Sequence, residues 1–200
     1  MIALIDYGAG NLTSVRKAFA AVGADLFVPD TPAEIDDAAA IVVPGVGHFG
    51  ATRALDGEWV KAILARIGEG RPLLGICLGM QWLFEGSDEA PECTGLGLLG
   101  GRCSRLNPAT SQFKIPHVGW NAIELRREAS LVDGVPSGAQ VYFTHSFVAP
   151  VTGDTVAIAE HGTPFAAIVE RGHVAGVQFH PEKSGEIGLR ILRNWLAQVG

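Results

Sequence analysis

Residues 72–81 read Pro-Leu-Leu-Gly-Ile-Cys-Leu-Gly-Met-Gln, an apolar run that leads into a cysteine flanked by glycines. The run from Leu73 to Ile76 is typical of a strand that is buried in a parallel sheet. Residues 80–85 can continue as a helix. A strand, a sharp turn that carries a nucleophile and a helix form a nucleophile elbow, here with sulfur in place of a serine oxygen. The stretch therefore predicts an α/β fold with Cys77 as a candidate nucleophile.

The glycines on either side of Cys77 have a steric role in this interpretation. Gly75 and Gly79 lie where the strand and helix backbones come close together, so larger side chains would collide there. We expect Cys77 to adopt a strained conformation above the edge of the sheet. At a helix N-terminus, unpaired N–H groups would stabilise its thiolate over the thiol. The alternative interpretation of this window is a small buried cysteine on a core strand.

Composition restricts the class of protein. The chain has 200 residues, of which 48% are hydrophobic and 18% charged, as is typical of a globular protein with a sizeable core. A net charge of −6 offers no basic surface to nucleic acid. The odd number of cysteines favours reduced thiols and a cytoplasmic location. We expect neither a signal peptide nor a membrane span, because no apolar run approaches about 18 residues.

The first 90 residues alternate between strand and helix patterns. Strands are predicted at 2–5, 25–28, 40–43 and 73–76, and helices at 12–22, from 31 onward, at 51–67 and at 80–85. This alternation predicts a doubly wound, mostly parallel sheet of the flavodoxin-like type, whose ligands bind at the C-terminal ends of the strands. Glycine-rich loops follow the first, third and fourth strands, so we expect them at one edge of the sheet.

After about residue 90 the pattern changes to shorter strands, which we expect to add antiparallel neighbours to the sheet. They are predicted at 114–125, 140–147, 156–160, 165–170 and 174–179, with a hairpin turn at Arg171-Gly172 and a loop over 93–101. Residues 184–199 carry apolar side chains along one side, as an amphipathic helix does. Because we find no linker or repeat, we predict one domain over residues 1–200.

The glycine loop after the first strand has two interpretations. Gly8-Ala9-Gly10 with Asp30 about 20 residues on is similar to a dinucleotide-binding fingerprint. Thr13 occupies the third glycine position, which favours a simple strand-to-helix turn with Asn11 as the N-cap. The loop at 44–50, Pro-Gly-Val-Gly-His-Phe-Gly, can present N–H groups to a developing oxyanion or be an ordinary connection.

A second candidate window lies at 176–182, Gly-Val-Gln-Phe-His-Pro-Glu. A strand delivers His180 at its end, and Pro181 keeps the preceding residue extended. His180 and Glu182 are two apart in an extended segment and project to the same side. A histidine backed by a carboxylate is the base and orienter that a thiol nucleophile uses.

The same side chains could be imagined as metal ligands. His145, His180 and Glu182 have no HExxH or CxxC spacing around them, so we expect no metal and no cofactor. We expect Cys93 and Cys103 to be structural.

These motifs resemble the class I (triad) glutamine amidotransferases. The resemblance rests on residues 75–81, Gly-Ile-Cys-Leu-Gly-Met-Gln, and 178–182, Gln-Phe-His-Pro-Glu. Further motifs at 6–11, 44–50, 116–121 and 142–147 are similar to those of the glutaminase subunits of imidazole glycerol phosphate synthase. The similarity covers nearly the whole chain.

The resemblance implies hydrolysis of L-glutamine to glutamate and ammonia through a Cys77 thioester, with His180 transferring protons and Glu182 orienting the imidazole. The ammonia would pass to a cyclase subunit with a (β/α)8 barrel fold, which makes imidazole glycerol phosphate and aminoimidazole carboxamide ribotide in histidine biosynthesis. Two alternatives stay open. One is the glutaminase subunit of another ammonia-channelling synthase, such as the synthase for pyridoxal phosphate. The motif at residues 116–121 argues against this alternative. The other is a non-catalytic nucleotide-binding domain.

The resemblance also assigns residues around the triad. The oxyanion and substrate residues would be Val46, Gly47, Leu78, Gln81, His145, Ser146 and Phe147. The partner surface would comprise Asn11, His117, Trp120, Asn121, Tyr142 and Lys183, with core packing as the alternative for Trp120. The glycines of 44–50 permit a peptide flip. We therefore expect the Val46 N–H to point away from the site, and the free subunit to be nearly inactive, until the loaded partner reorients the loop.

Overall fold

The computed structural model describes residues 1–55, 57–107 and 113–199. The strands are β1 (Ile2–Leu4), β2 (Leu26–Phe27), β3 (Ala40–Val43), β4 (Leu73–Ile76), β5 (Gly86–Ser87), β6 (Arg102–Arg105), β7 (His117–Leu125), β8 (Ala139–His145), β9 (Phe147–Val148), β10 (Thr155–Glu160), β11 (Pro164–Arg171) and β12 (Val174–Val177). The α-helices are α1 (Leu12–Ala21), α2 (Glu58–Gly68), α3 (Leu78–Trp82) and α4 (Gly185–Leu196). Short 3₁₀ helices cover Pro32–Ile35, Phe49–Leu55, Ser130–Val132 and Pro181–Lys183.

One large sheet runs through these ranges in the order β2-β1-β3-β4-β12-β11-β10-β7-β8. Strands β2, β1, β3, β4 and β12 pair in parallel. Strands β11, β10, β7 and β8 extend the sheet from β12 as antiparallel neighbours. A smaller sheet has the order β5-β6-β9. The predicted α/β class, with antiparallel strands from the C-terminal half, is confirmed, although β12, predicted among those strands, joins the parallel half by pairing with β4.

Helices cover both faces of the parallel strands. On one face α1 and α4 bury Phe19 and Trp195, whose rings meet edge to face at 5.9 Å. On the other face α2 contributes Ile63 and α3 contributes Met80 and Trp82 to a second core. This is the doubly wound arrangement that the alternating pattern predicts. Among the helices described, none is both long and apolar enough to cross a membrane.

At the elbow the backbones of sheet and helix lie close together. A Cβ on Gly79 would collide with the Val43 carbonyl oxygen, and one on Gly75 would lie 2.7 Å from the Gly79 backbone. Both glycines are therefore required by the approach of α3 to strands β3 and β4, as the sequence predicts.

Several predicted boundaries are wrong. The helix predicted at 51–67 is a 3₁₀ helix to Leu55 followed by α2, which begins after Gly57 at a φ of 67°; residue 56 lies outside the described residues. The segment from residue 31 forms only a 3₁₀ turn. Arg171 pairs with Val174, so the hairpin turn is Gly172-His173. Strands β5 and β6 were not predicted, because two residues are too few for a pattern and Arg-Cys-Ser-Arg is largely polar.

The elbow packing can be tested by adding one methyl group. We expect Gly79→Ala to lower the free energy of unfolding by about 3 kcal/mol, because α3 must move off the sheet to accommodate the Cβ. Urea denaturation measures this change. Gly68→Ala is the matched control, since a Cβ there meets no atom of residues 1–55, 57–107 or 113–199 within 4 Å and alanine favours helix. Equal stability of the two variants would contradict the account.

Candidate active site

Cys77 joins β4 to α3 in a left-handed conformation. Its φ of 53° is the only positive value at a non-glycine residue in the described ranges, and such a conformation is costly for an L-residue. Its N–H donates to the Val177 carbonyl at 2.8 Å, and the residue is 4% exposed. The predicted strained turn is present, and it places the thiol at the C-terminal edge of the sheet.

The pairing of β12 with β4 brings the second candidate window to the cysteine. Val177 lies opposite Ile76 in a parallel register, so the chain leaving β12 runs beside the chain leaving β4. His180 Nδ1 lies 2.8 Å from Glu182 Oε1, and both side chains are almost fully buried. His180 Nε2 makes no complete hydrogen bond within the described residues, although the Cys77 sulfur is near enough to affect the ring.

The charge state of His180 follows from these neighbours. Burial acts to lower its pKa, but the Cys77 sulfur and the Glu182 carboxylate outweigh burial and raise the pKa to about 10. The imidazole is therefore protonated at neutral pH and is a positive partner for a thiolate.

A cavity of about 240 Å³ opens beside Cys77. It is lined by all of the predicted oxyanion and substrate residues, namely Val46, Gly47, Leu78, Gln81, His145, Ser146 and Phe147, and also by Glu89, Pro116 and Thr144. Sequence reasoning missed Glu89, which lies beyond the end of α3 and in none of the sequence motifs around the site. Its Oε2 accepts a hydrogen bond from the Phe49 N–H at 2.7 Å, so a carboxylate is fixed on the cavity wall.

The loop at 44–50 closes one side of this cavity. The Leu78 N–H donates to the Gly45 carbonyl at 3.3 Å. In a trans peptide the C=O and N–H point in opposite directions, so the Val46 N–H is turned away from Leu78. The predicted oxyanion donors are the Leu78 N–H and an N–H from Val46 or Gly47; the Leu78 N–H is bonded to a backbone carbonyl, and the Val46 N–H faces away from it.

The first glycine loop supports this segment. The Tyr7 hydroxyl donates to the Pro44 carbonyl at 2.7 Å, and Gly10 packs against Gly45. Burial, followed by the charge of Cys77, raises the pKa of Tyr7 and keeps it a donor. Asn11 caps α1 as predicted by accepting from the Ser14 N–H. These contacts give the glycines a structural role and do not favour the dinucleotide interpretation.

Two histidines, His145 on the cavity wall and His117 against it, are buried beside each other. His145 Nδ1 lies 3.1 Å from the Phe147 carbonyl, and His145 Nε2 lies 3.1 Å from His117 Nδ1. Burial and the neighbouring histidine lower the pKa of His145 to about 3; burial and His161 lower that of His117 to about 4. His117 is only 3% exposed, so its predicted place on the partner surface is corrected to a place in the interior wall.

The other predicted surface residues lie near the exposed side of β7. Trp120 is 57% exposed, so the core-packing alternative is wrong. Trp120 lies opposite Tyr142 on β8, and Lys183 Nζ stands 5.8 Å from the centre of the Tyr142 ring. Asn121 is half-buried and donates to the Glu160 carbonyl. Their role in binding a partner stays a prediction.

Comparison with known proteins gives results at the level of family and fold. The family model described as glutamine amidotransferase class-I matches residues 3–199. Imidazole glycerol phosphate synthase subunit HisH of Bacillus cereus (strain B4264) is 43% identical over 202 residues, covering 100% of this chain and 95% of that protein. The subunit of the same name from Syntrophotalea carbinolica is 45% identical over 204 residues, covering 98% of each chain. A crystal structure of a glutamine amidotransferase, 19% identical, covers both chains fully with a TM-score of 0.76 and shows likeness of fold.

The ion pair at His180 should be visible in the pH dependence of stability. Since the folded-state pKa lies above the ordinary value of 6.5, the stabilisation is complete below pH 6.5 and is lost as the pH rises toward 10. Glu182→Gln removes one partner that raises this pKa. We therefore expect the variant to lose less stability than the parent over that range in denaturant unfolding.

Glu186→Gln, on the exposed first turn of α4, is the control and should follow the parent chain. An equal loss of stability in the parent and in Glu182→Gln would show that the carboxylate does not raise the pKa of His180.

Proposed function

The chain belongs to the class I glutamine amidotransferases, and on that premise we propose that it is the glutaminase subunit of an imidazole glycerol phosphate synthase. The catalytic part of this proposal rests on one observation: Cys77 is held at a φ of 53° beside His180, which is hydrogen-bonded to Glu182. We retain the prediction of one domain over residues 1–200 and of a cytoplasmic location as parts of this proposal.

The triad has a defined task at each step of glutamine hydrolysis. The Cys77 thiolate attacks the carboxamide carbon, and the imidazolium of His180 gives its proton to the leaving nitrogen, which departs as ammonia. The neutral imidazole then takes a proton from the water that attacks the thioester, and glutamate leaves as the thiolate is regenerated. Glu182 holds the Nδ1–H and stabilises the charged ring. His180 must be protonated before the thiolate attacks, and its raised pKa keeps it protonated at neutral pH.

The cavity offers groups for the amino-acid end of the substrate. A volume of about 240 Å³ is suited to one small amino acid. We assign the α-ammonium to the Glu89 carboxylate and the α-carboxylate to the segment 145–147, with Gln81 and Gly47 completing the walls. The negative charge of Glu89 at one end and the polar groups of 145–147 at the other would set the orientation of glutamine, so that its carboxamide faces Cys77.

The loop at 44–50 accounts for regulation. With the Gly45 carbonyl against the Leu78 N–H, a tetrahedral oxygen would lack donors. Rotation of the Gly45–Val46 peptide would release Leu78 and turn the Val46 N–H inward. A single oxyanion donor is worth about 3 to 4 kcal/mol. Such a rotation therefore accounts for a low rate in the free chain and a much higher rate in the complex.

We propose that the partner is the cyclase subunit and that this subunit has the predicted (β/α)8 barrel fold. Val118 and Trp120, each 57% exposed, project from β7 as large apolar side chains, and such side chains in a cluster mark interaction sites. Tyr142, Lys183, Asn11 and Asn121 complete the proposed surface. The ammonia would pass across it to the cyclase, which forms imidazole glycerol phosphate and aminoimidazole carboxamide ribotide.

A coupled assay tests this proposal. Glutamate release is measured for the chain alone, with the cyclase subunit, and with the cyclase and its nucleotide substrate. We expect the last condition to exceed the first by about 10² to 10³-fold, the range for one oxyanion donor. Imidazole glycerol phosphate should form at the same rate as glutamate.

Cys77→Ala should abolish glutamine-dependent product formation and leave ammonia-dependent formation by the cyclase intact. Cys93→Ala, which also removes a buried thiol, should retain both activities. Turnover in Cys77→Ala would overturn the triad assignment, equal rates with and without the loaded partner would overturn the loop account, and failure to bind the cyclase would overturn the choice of synthase.

A further inference from the structure

Gln178 is a buried amide at the nucleophile. It follows β12 directly and is 0% exposed, and its Nε2 lies 3.6 Å from the Cys77 sulfur. Burying an amide is costly unless its groups are hydrogen-bonded. The sequence window around His180 contains this residue, yet neither the triad nor the substrate assignments give it a role.

The direction of the hydrogen bonds around Gln178 follows from one backbone carbonyl. The Phe147 oxygen can only accept, so the Gln81 side chain must present its NH₂ group there, at 2.8 Å. The same Gln81 Nε2 lies 3.0 Å from the Gln178 amide. Gln178 must therefore turn its oxygen toward Gln81, which leaves its own NH₂ group facing Cys77. The assignment of nitrogen and oxygen in both amides is thus fixed.

We propose that Gln178 is a dedicated hydrogen-bond donor to the Cys77 thiolate, an inference that deepens the proposed glutaminase function and rests on it. An N–H bond to an ionised acceptor is stronger than one to a neutral acceptor. The bond therefore favours the thiolate over both the thiol and the thioester. It stabilises the nucleophile before attack, and it stabilises the same sulfur as a leaving group when water cleaves the thioester.

The amide differs from the other groups near the sulfur because it does not titrate. Among the described residues, the ionisable groups that face Cys77 or its cavity are His180 with Glu182 behind it, Tyr7 from the first loop, His145 from β8 and Glu89 on the cavity wall. The side chain of Gln178, unlike these groups, is neutral at every pH. Gln178 supplies a donor of constant strength, held in place by Gln81.

The pH dependence of alkylation at Cys77 tests this role. The full chain is treated with iodoacetamide across a pH series, and the modified peptides are resolved by mass spectrometry, which separates Cys77 from Cys93 and Cys103. Gln178→Met keeps the size of the side chain and removes the donor. We expect the pH midpoint for Cys77 to rise by about one unit, that is about tenfold less thiolate at a given pH below the midpoint.

A second variant distinguishes donation from packing. Gln178→Glu can still accept from Gln81 but turns a carboxylate oxygen toward the sulfur, so its midpoint should lie above that of Gln178→Met. Gln140→Met makes the same substitution at an exposed position of β8 and should match the parent chain. If Gln178→Met does not fold, as judged by circular dichroism, the shift in Gln178→Glu decides the question.

Parent-like midpoints in the Gln178 variants, or a midpoint in Gln178→Glu below that of Gln178→Met, would overturn the proposal. Because alkylation needs no glutamine, the result is independent of the proposed function. If the parent chain shows no glutaminase activity in any complex, the proposed function is wrong. If the Cys77 midpoint is nevertheless shifted in the Gln178 variants, the assignment of Gln178 as a hydrogen-bond donor still stands.

Discussion

The left-handed backbone at Cys77 is the constraint on which the rest of the site depends. A positive φ at a residue with a side chain costs about 1 to 3 kcal/mol, and the surrounding packing must offset it. Gly75 and Gly79 permit the close approach of α3 to the sheet, and the Cys77 N–H bond to Val177 ties the turn to β12. The same β12 delivers Gln178 and His180, so the contact that holds the turn also positions two groups that act on the sulfur.

The three buried histidines differ in the direction in which their surroundings shift the pKa. His180 has a carboxylate at 2.8 Å and a sulfur nearby, so its pKa is raised despite burial. Among the residues that the structure describes, no carboxylate acts on His117 or His145, which face each other or His161, so burial lowers their pKa values. The site therefore places one positive charge beside the nucleophile and keeps the neighbouring wall neutral. A second buried cation would compete with His180 for the thiolate.

The sequence predicted the parts of the molecule that depend on local pattern. The apolar run before Cys77 and its two glycines were enough to predict the elbow, and the alternation of strand and helix patterns over the first 90 residues was enough to predict the parallel strands β1 to β4. The break before α2 was missed because the apolar spacing from Leu55 to Ile67 continues across Gly57. The burial of His117 depends on stacking against Phe143 and His161, and the positions of Glu89 and Gln178 depend on contacts with residues distant in sequence. Contacts of this kind produce no periodic pattern in a single sequence.

The most direct test of the central claim is to find where a glutamine-like diazoketone becomes attached to the chain. If Cys77 is held as a thiolate within a glutamine-sized cavity, one adduct should form on its sulfur, and excess glutamine should slow the reaction. Peptide mass spectrometry would locate the adduct. Labelling at Cys93 or Cys103, or labelling of Cys77 at a rate that glutamine does not alter, would contradict the account.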